Sequence, residues 1–102
     1  MLQIRETPEY SEWIEAVRDE RAQARIVSRV ARLARGNAGD VKPVGQGVSE
    51  LRVHYGPGYR VYFTRRGLQL IVLLCGGDKS TQEKDVERAK LLAATWTDEE
   101  EK

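Results

Sequence analysis

The sequence predicts an α+β domain with the element order β-α-α-β-β-β-α and a largely antiparallel sheet packed against helices. Three observations lead there. Two helical patterns follow one another between residues 7 and 35 with no strand pattern between them. Apolar and polar residues then alternate through "ELRVHYGPGYRVYF", residues 50–63, as in a hairpin with one covered face. A continuous apolar run and a final helical stretch complete the domain.

"LQIR" near the N-terminus reads as a short first strand. Thr7-Pro8 opens the first helix, with threonine as N-cap and proline at the first helical position, where its missing N–H costs nothing. Tyr10, Trp13, Ile14 and Val17 follow at i, i+3, i+4 and i+7, one stripe of an amphipathic helix. A second helix is expected from about Glu20 to Arg35. Its buried side is Ile26, Val27, Val30, Leu33 and Ala34, while Arg21, Arg25, Arg29 and Arg32 run along another face. Gly36 supplies the stop. "GNAGDVKPVGQG" is rich in turn formers and is expected to be a loop.

In the hairpin, a short Gly56-Pro57-Gly58 loop predicts Tyr55 opposite Tyr59, Val53 opposite Val61 and Leu51 opposite Phe63. Directly opposed residues share a face, so this register gathers the apolar residues on one side. Glu50, Arg52, His54, Arg60, Tyr62 and Thr64 then share the other side, which is expected to face water, with Arg60 opposite His54 and diagonal to Arg52. "TRRGLQL" reads as a turn and "LIVLLC" as a central strand. In the last helix, Ser80 and Glu83 have capping-box spacing, and Val86, Ala89, Ala93 and Trp96 keep a helical period.

With 102 residues, the chain suits one domain, placed at residues 1–96, followed by an acidic tail at 97–102 that is expected to be disordered. Cys75 is the one cysteine, which excludes an intrachain disulfide and points to a reducing cytoplasm. The N-terminus has no apolar signal core and no run approaches transmembrane length, so no membrane association is expected. Net charge is only +1, but residues 21–66 carry ten bases against two acids, or +8. Charge so concentrated suits a polyanion or an acidic partner, although an arginine-rich helix can also be simply a solvated face.

Several residues read as structural. Cys75, Trp13 and Trp96 fit the core, and Ser80 with Glu83 fits a cap better than a catalytic pair. "GGDKST" fails phosphate-loop spacing, because Asp78 and Leu73 stand where glycines are needed. His54 is the one histidine, so no metal site is expected, and no cofactor. The polar hairpin face differs, because it joins acid, base and anion-binding groups. Such a set suits RNA cleavage, in which the 2′-hydroxyl attacks the adjacent phosphate. Arginines stabilise the developing charge, and Glu50, His54 or Tyr62 moves protons.

"ELRVHYGPGYRVYF", "LIVLLCGGDKSTQEKDVERAK" and "TPEYSEWI" together resemble the RelE/ParE superfamily of toxins from type II toxin–antitoxin modules, closest to its HigB-like "addiction module killer protein" branch. The resemblance spans about residues 2–95. It implies a compact RelE-like fold and an mRNA interferase, an endoribonuclease that enters the ribosomal A site, cuts mRNA and so inhibits translation. It also implies an antitoxin partner, usually of helix-turn-helix type, whose complex with the toxin binds operator DNA. By position, Arg52 and Arg60 match strand residues that hold the scissile phosphate, and Lys79 falls where these toxins carry a basic residue past the last strand. Arg21, Arg25, Arg29, Arg32, Arg65 and Arg66 are the expected RNA-binding set. Two positions depart from the pattern: Asp85 and Val86 stand nearest the usual C-terminal catalytic tyrosine, and Glu50 replaces a lysine. Asp78 is a further candidate base. A ParE-like inhibitor of DNA gyrase without nuclease activity, and an inactive relic that only binds antitoxin, are the alternatives.

Overall fold

The computed structural model describes residues 1–97. The chain runs β1 (Gln3–Glu6), α1 (Pro8–Ala16), α2 (Glu20–Ala34), β2 (Val41–Gly45), β3 (Val48–Val53), β4 (Tyr59–Arg66) and β5 (Leu70–Gly77). A 3₁₀ turn (Lys79–Thr81) then leads into α3 (Gln82–Thr95). The fold is α+β, as expected. Its five-stranded sheet has the order β1-β5-β4-β3-β2, with only β1 and β5 parallel.

Local chemistry sets the helix ends. Thr7 caps α1, its hydroxyl accepting from the Tyr10 N–H at 3.0 Å and donating to the Leu74 carbonyl at 2.6 Å. That second bond ties the start of α1 to β5. Asp19 caps α2 by accepting from the N–H groups of Arg21 and Ala22. At the other end Gly36, at φ +89°, closes the helix in the left-handed region that favours glycine.

Helices cover both faces of the sheet. On one side Tyr10, Ile26, Val30 and Leu33 from α1 and α2 pack on Leu51, Val53, Val61, Phe63, Ile71 and Leu73. On the other, Ala89, Ala93 and the following Trp96 pack on Val48, Tyr62, Val72, Leu74 and Cys75. A bulge makes the second layer possible. Tyr62 pairs with Cys75 and Phe63 with Leu73, leaving Leu74 unpaired, so Leu74 and Cys75 both turn toward α3.

The structure corrects five expectations. Residues 41–45, expected to lie in a loop, form edge strand β2 against β3. Pro43 is tolerated there because an edge strand has a side that need not donate. The hairpin register is shifted by two residues, pairing Val53 with Tyr59, Arg52 with Arg60 and Leu51 with Val61. Residues 54–58 form a longer loop, closed by the Gly58 N–H donating to the Tyr55 carbonyl. An even shift preserves the faces, so the apolar and polar sets still separate. Val27 is exposed, because it points away from the sheet-facing stripe of α2. The Ser80–Glu83 capping box does not form, since Asp78 takes the N–H and hydroxyl of Ser80 instead. Finally, the polar hairpin face is not open to water: α3 lies over it, and Glu50, Tyr62 and Thr64 are buried.

The expected acidic tail begins at Thr97, and residues 98–102 of it lie outside the described residues. Among those described, no helix is long and apolar enough to cross a membrane.

Candidate functional site

The polar residues of β3 and β4 converge on one carboxylate. Glu50 is fully buried, and its Oε1 lies 3.1 Å from Arg52 Nε and 3.7 Å from Arg60 Nη1. Its Oε2 accepts from the Tyr62 hydroxyl at 3.0 Å and from Gln82 Nε2, at the start of α3, at 2.9 Å. With both oxygens occupied, Glu50 ties two guanidiniums to β3, β4 and α3. Tyr62 is held as a neutral phenol. Burial, then the Glu50 carboxylate it donates to, raises its pKa far above the usual phenol range.

Arg60 is the more deeply set arginine, with 12% of its side chain exposed against 30% for Arg52. Its Nε and Nη1 are buried and make no hydrogen bond among the described residues. Nη1 faces the Glu50 carboxylate at 3.7 Å, and that ion pair fixes the guanidinium in place. Next to Arg60 on β5 stands Gly77, where an added Cβ would lie 1.9 Å from Asp85 Oδ2. Glycine thus lets the start of α3 approach the sheet.

His54 does not join this cluster. It lies past the end of β3, exposed, with Nε2 2.5 Å from Asp40 Oδ2. That hydrogen bond holds the Asp40 carboxyl below its ordinary range, and the nearby Arg52 guanidinium adds to the effect. The expected placement of His54 opposite Arg60 is therefore wrong, because the register shift puts Arg52 there. His54, Asp40, Arg52 and Glu50 instead form a chain of polar groups running from the surface to the buried anchor. Asp40 and Gln82 escaped the sequence reading. Recognising β2 would have revealed Asp40, since Val41 pairs with Leu51 and the Arg52 N–H donates to the Asp40 carbonyl.

The arginines expected to bind RNA divide into two groups. Arg29 donates to the carbonyls of Arg52, at 2.7 Å, and Ala38, at 3.2 Å, so it secures α2 to the sheet. Arg66 donates to the Ala93 and Trp96 carbonyls and lies over the Trp96 ring, capping the end of α3. These two are engaged with backbone carbonyls of the fold. Arg21, Arg25 and Arg32 are exposed on α2. With His54 and Tyr55 they line a groove of about 670 Å³ between α2 and the end of β3. Arg65 is exposed, its guanidinium donating to the Leu68 carbonyl across the β4–β5 turn. Lys79 is exposed on the 3₁₀ turn, beside Gly58 of the hairpin loop, and Asp78 is used as a cap. Cys75 is buried, with its thiol pushed up to about 12 by burial and then by Asp85, as suits a packing residue.

Comparison with known proteins adds a family to this geometry. The chain is 49% identical over 92 residues to an uncharacterized protein of Haemophilus influenzae (strain ATCC 51907 / DSM 11121 / KW20 / Rd), covering 90% of this chain and 93% of that one. No solved structure matches. Residues 12–96 match the family described as "Phage derived protein Gp49-like (DUF891)". That span holds α2, the whole Glu50 cluster and the His54–Asp40 pair, and on it the chain belongs to the phage-derived Gp49-like family.

Proposed function

We propose that this chain is the toxin of a type II toxin–antitoxin module and cleaves mRNA on the ribosome by internal attack of a 2′-hydroxyl, without a metal ion. The resemblance to RelE/ParE toxins and the Gp49-like family membership support the toxin role. One observation carries the chemistry: the His54–Asp40 pair stands beside Arg52, which Glu50 holds together with Arg60. In this reading Arg52 and Arg60 hold the scissile phosphate and stabilise the charge that builds on its oxygens. His54 accepts the 2′-hydroxyl proton, while Asp40 orients the imidazole and stabilises its protonated form. Glu50 and Tyr62 position the arginines and take no proton. Lys79, on the far side of the hairpin loop, offers a further phosphate contact. A helix-turn-helix antitoxin is the expected partner, with operator DNA bound through the complex, in the cytoplasm.

The test is His54→Ala, assayed with intact ribosomes and mRNA alongside DNA supercoiling. Loss of one general base costs roughly a hundredfold or more in rate, and wild-type cuts should carry a 2′,3′-cyclic phosphate and a 5′-hydroxyl. Because His54 is exposed and its contact with Asp40 lies at the surface, the variant should remain folded. Near-normal cleavage by folded His54→Ala would remove the histidine from the mechanism. Intact mRNA with lost supercoiling would replace the nuclease by a gyrase inhibitor.

A further inference from the structure

The groove between α2 and the end of β3 has a composition that anion binding alone does not explain. Arg21, Arg25 and Arg32 supply its positive charge, and no acidic residue lines it among the described residues. Its walls also include Val53, Ala24 and the ring of Tyr55. The Arg25 guanidinium lies over that ring, 4.6 Å from its centroid. A flat guanidinium on a flat ring is a stacking platform as well as a charge. The opposite wall is held in place, because Arg29 is bonded to the Arg52 and Ala38 carbonyls. From Arg21 to Arg32 the helix rises about 16 Å, enough for exposed arginines to follow the phosphates of a short strand. His54 lies at the edge of the same groove.

We propose that this groove is a single-stranded RNA subsite, in which a base next to the cleaved phosphate stacks on the Arg25–Tyr55 pair. The proposal rests on the nuclease reading for its placement beside His54, but the binding it describes can be measured without cleavage. Single-stranded RNA is recognised by stacking of unpaired bases on aromatic rings and guanidinium planes along a basic groove. An acidic peptide would use the charge but gain little from the ring. A stacked base discriminates strongly against its absence, and an abasic strand keeps the same phosphates.

The experiment uses the full chain and three probes. These are a short 2′-O-methyl oligonucleotide, which cannot be cut because its nucleophile is blocked, an abasic strand of the same length, and a polyglutamate peptide of matched charge. Wild type should bind the base-bearing strand about tenfold more tightly than the abasic one. Tyr55→Leu should abolish that preference and Tyr55→Phe should keep it. Arg21→Gln should weaken both strands equally and flatten their salt dependence. If Tyr55→Leu fails to fold, Arg25→Gln, at an exposed helix position, decides by the same loss of preference. A folded Tyr55→Leu that still prefers bases, or polyglutamate bound more tightly than either strand, overturns the subsite. Cleavage of ribosome-bound mRNA by wild type is scored separately. A wild type that cuts but shows no base preference defeats the subsite alone; base preference lost in Tyr55→Leu, with no cutting by wild type, defeats the nuclease reading alone.

Discussion

Asp40 and His54 show how much a single side-chain contact can set. Each is ordinary in isolation, a turn aspartate and an exposed histidine. At 2.5 Å the hydrogen bond favours the ionised carboxylate, so Asp40 titrates below its ordinary value. A depressed acid contributes stability above its unfolded pKa and loses that contribution as pH falls through the lower folded value. The contact should therefore persist at neutral pH and be released only in acid, below the ordinary aspartate value of 3.8. His54→Ala should move the Asp40 titration back up toward that value, read by the carboxyl carbon shift in an NMR titration. A titration left in place would transfer the effect to Arg52, the next contributor.

Among the elements, the end of β5 is the most constrained. Gly76 and Gly77 turn to opposite faces of the sheet, and each is met closely from above. A Cβ on Gly76 would lie 2.2 Å from the Trp13 ring, and one on Gly77 would meet Asp85. Trp13 is packed between Tyr10 and Tyr59, with ring centroids 5.8 and 6.4 Å away, so it has little room to yield. Overpacking of this kind costs roughly 1–3 kcal/mol. Gly76→Ala should fall at the upper end of that range in urea unfolding, whereas Gly36→Ala should reveal only the strain of positive φ, since nothing lies within 4 Å there. Equal losses at the two positions would contradict the packing account. Gly77 alone faces α3, and it lets that helix approach β5 closely enough for Gln82 to reach Glu50.

For the molecule as a whole, Glu50 has weight out of proportion to its size. It joins β3, β4 and the start of α3 through Arg52, Arg60, Tyr62 and Gln82. Removing one partner of a buried ion pair leaves charge uncompensated and costs about 3–5 kcal/mol. A domain of this size has a total stability of only about 5–15 kcal/mol. Glu50→Ala should thus lower the urea midpoint sharply, by the equivalent of about 3 kcal/mol or more. A loss below about 1 kcal/mol would mean that both arginines reach water once released. Inactivity of Glu50→Ala would not identify a base, because the same substitution also releases Arg52 and Arg60.

Much of this was determined by local chemistry. Thr7-Pro8, Asp19 and Gly36 place the ends of α1 and α2 because caps and stops act over a single turn. Alternation in residues 50–63 separates the two hairpin faces, and the period-2 rule holds even with the register shifted by two. The turn before β3 was not resolved in the sequence, where its residues read as part of one long loop. Gln46 and Gly47, both at positive φ, join β2 to β3 as a two-residue hairpin turn, and glutamine is a weaker signal there than asparagine. What only the tertiary structure decided is what covers each face and which groups meet. Alternation marks a polar face without stating whether water or a helix lies over it. Here α3 does, and it buries Glu50 and Tyr62 beside Arg52 and Arg60. His54 found Asp40, 14 residues away, because β2 folds back on β3. Contacts made across strands and layers depend on how the chain returns on itself, and no local pattern of residue types encodes that return.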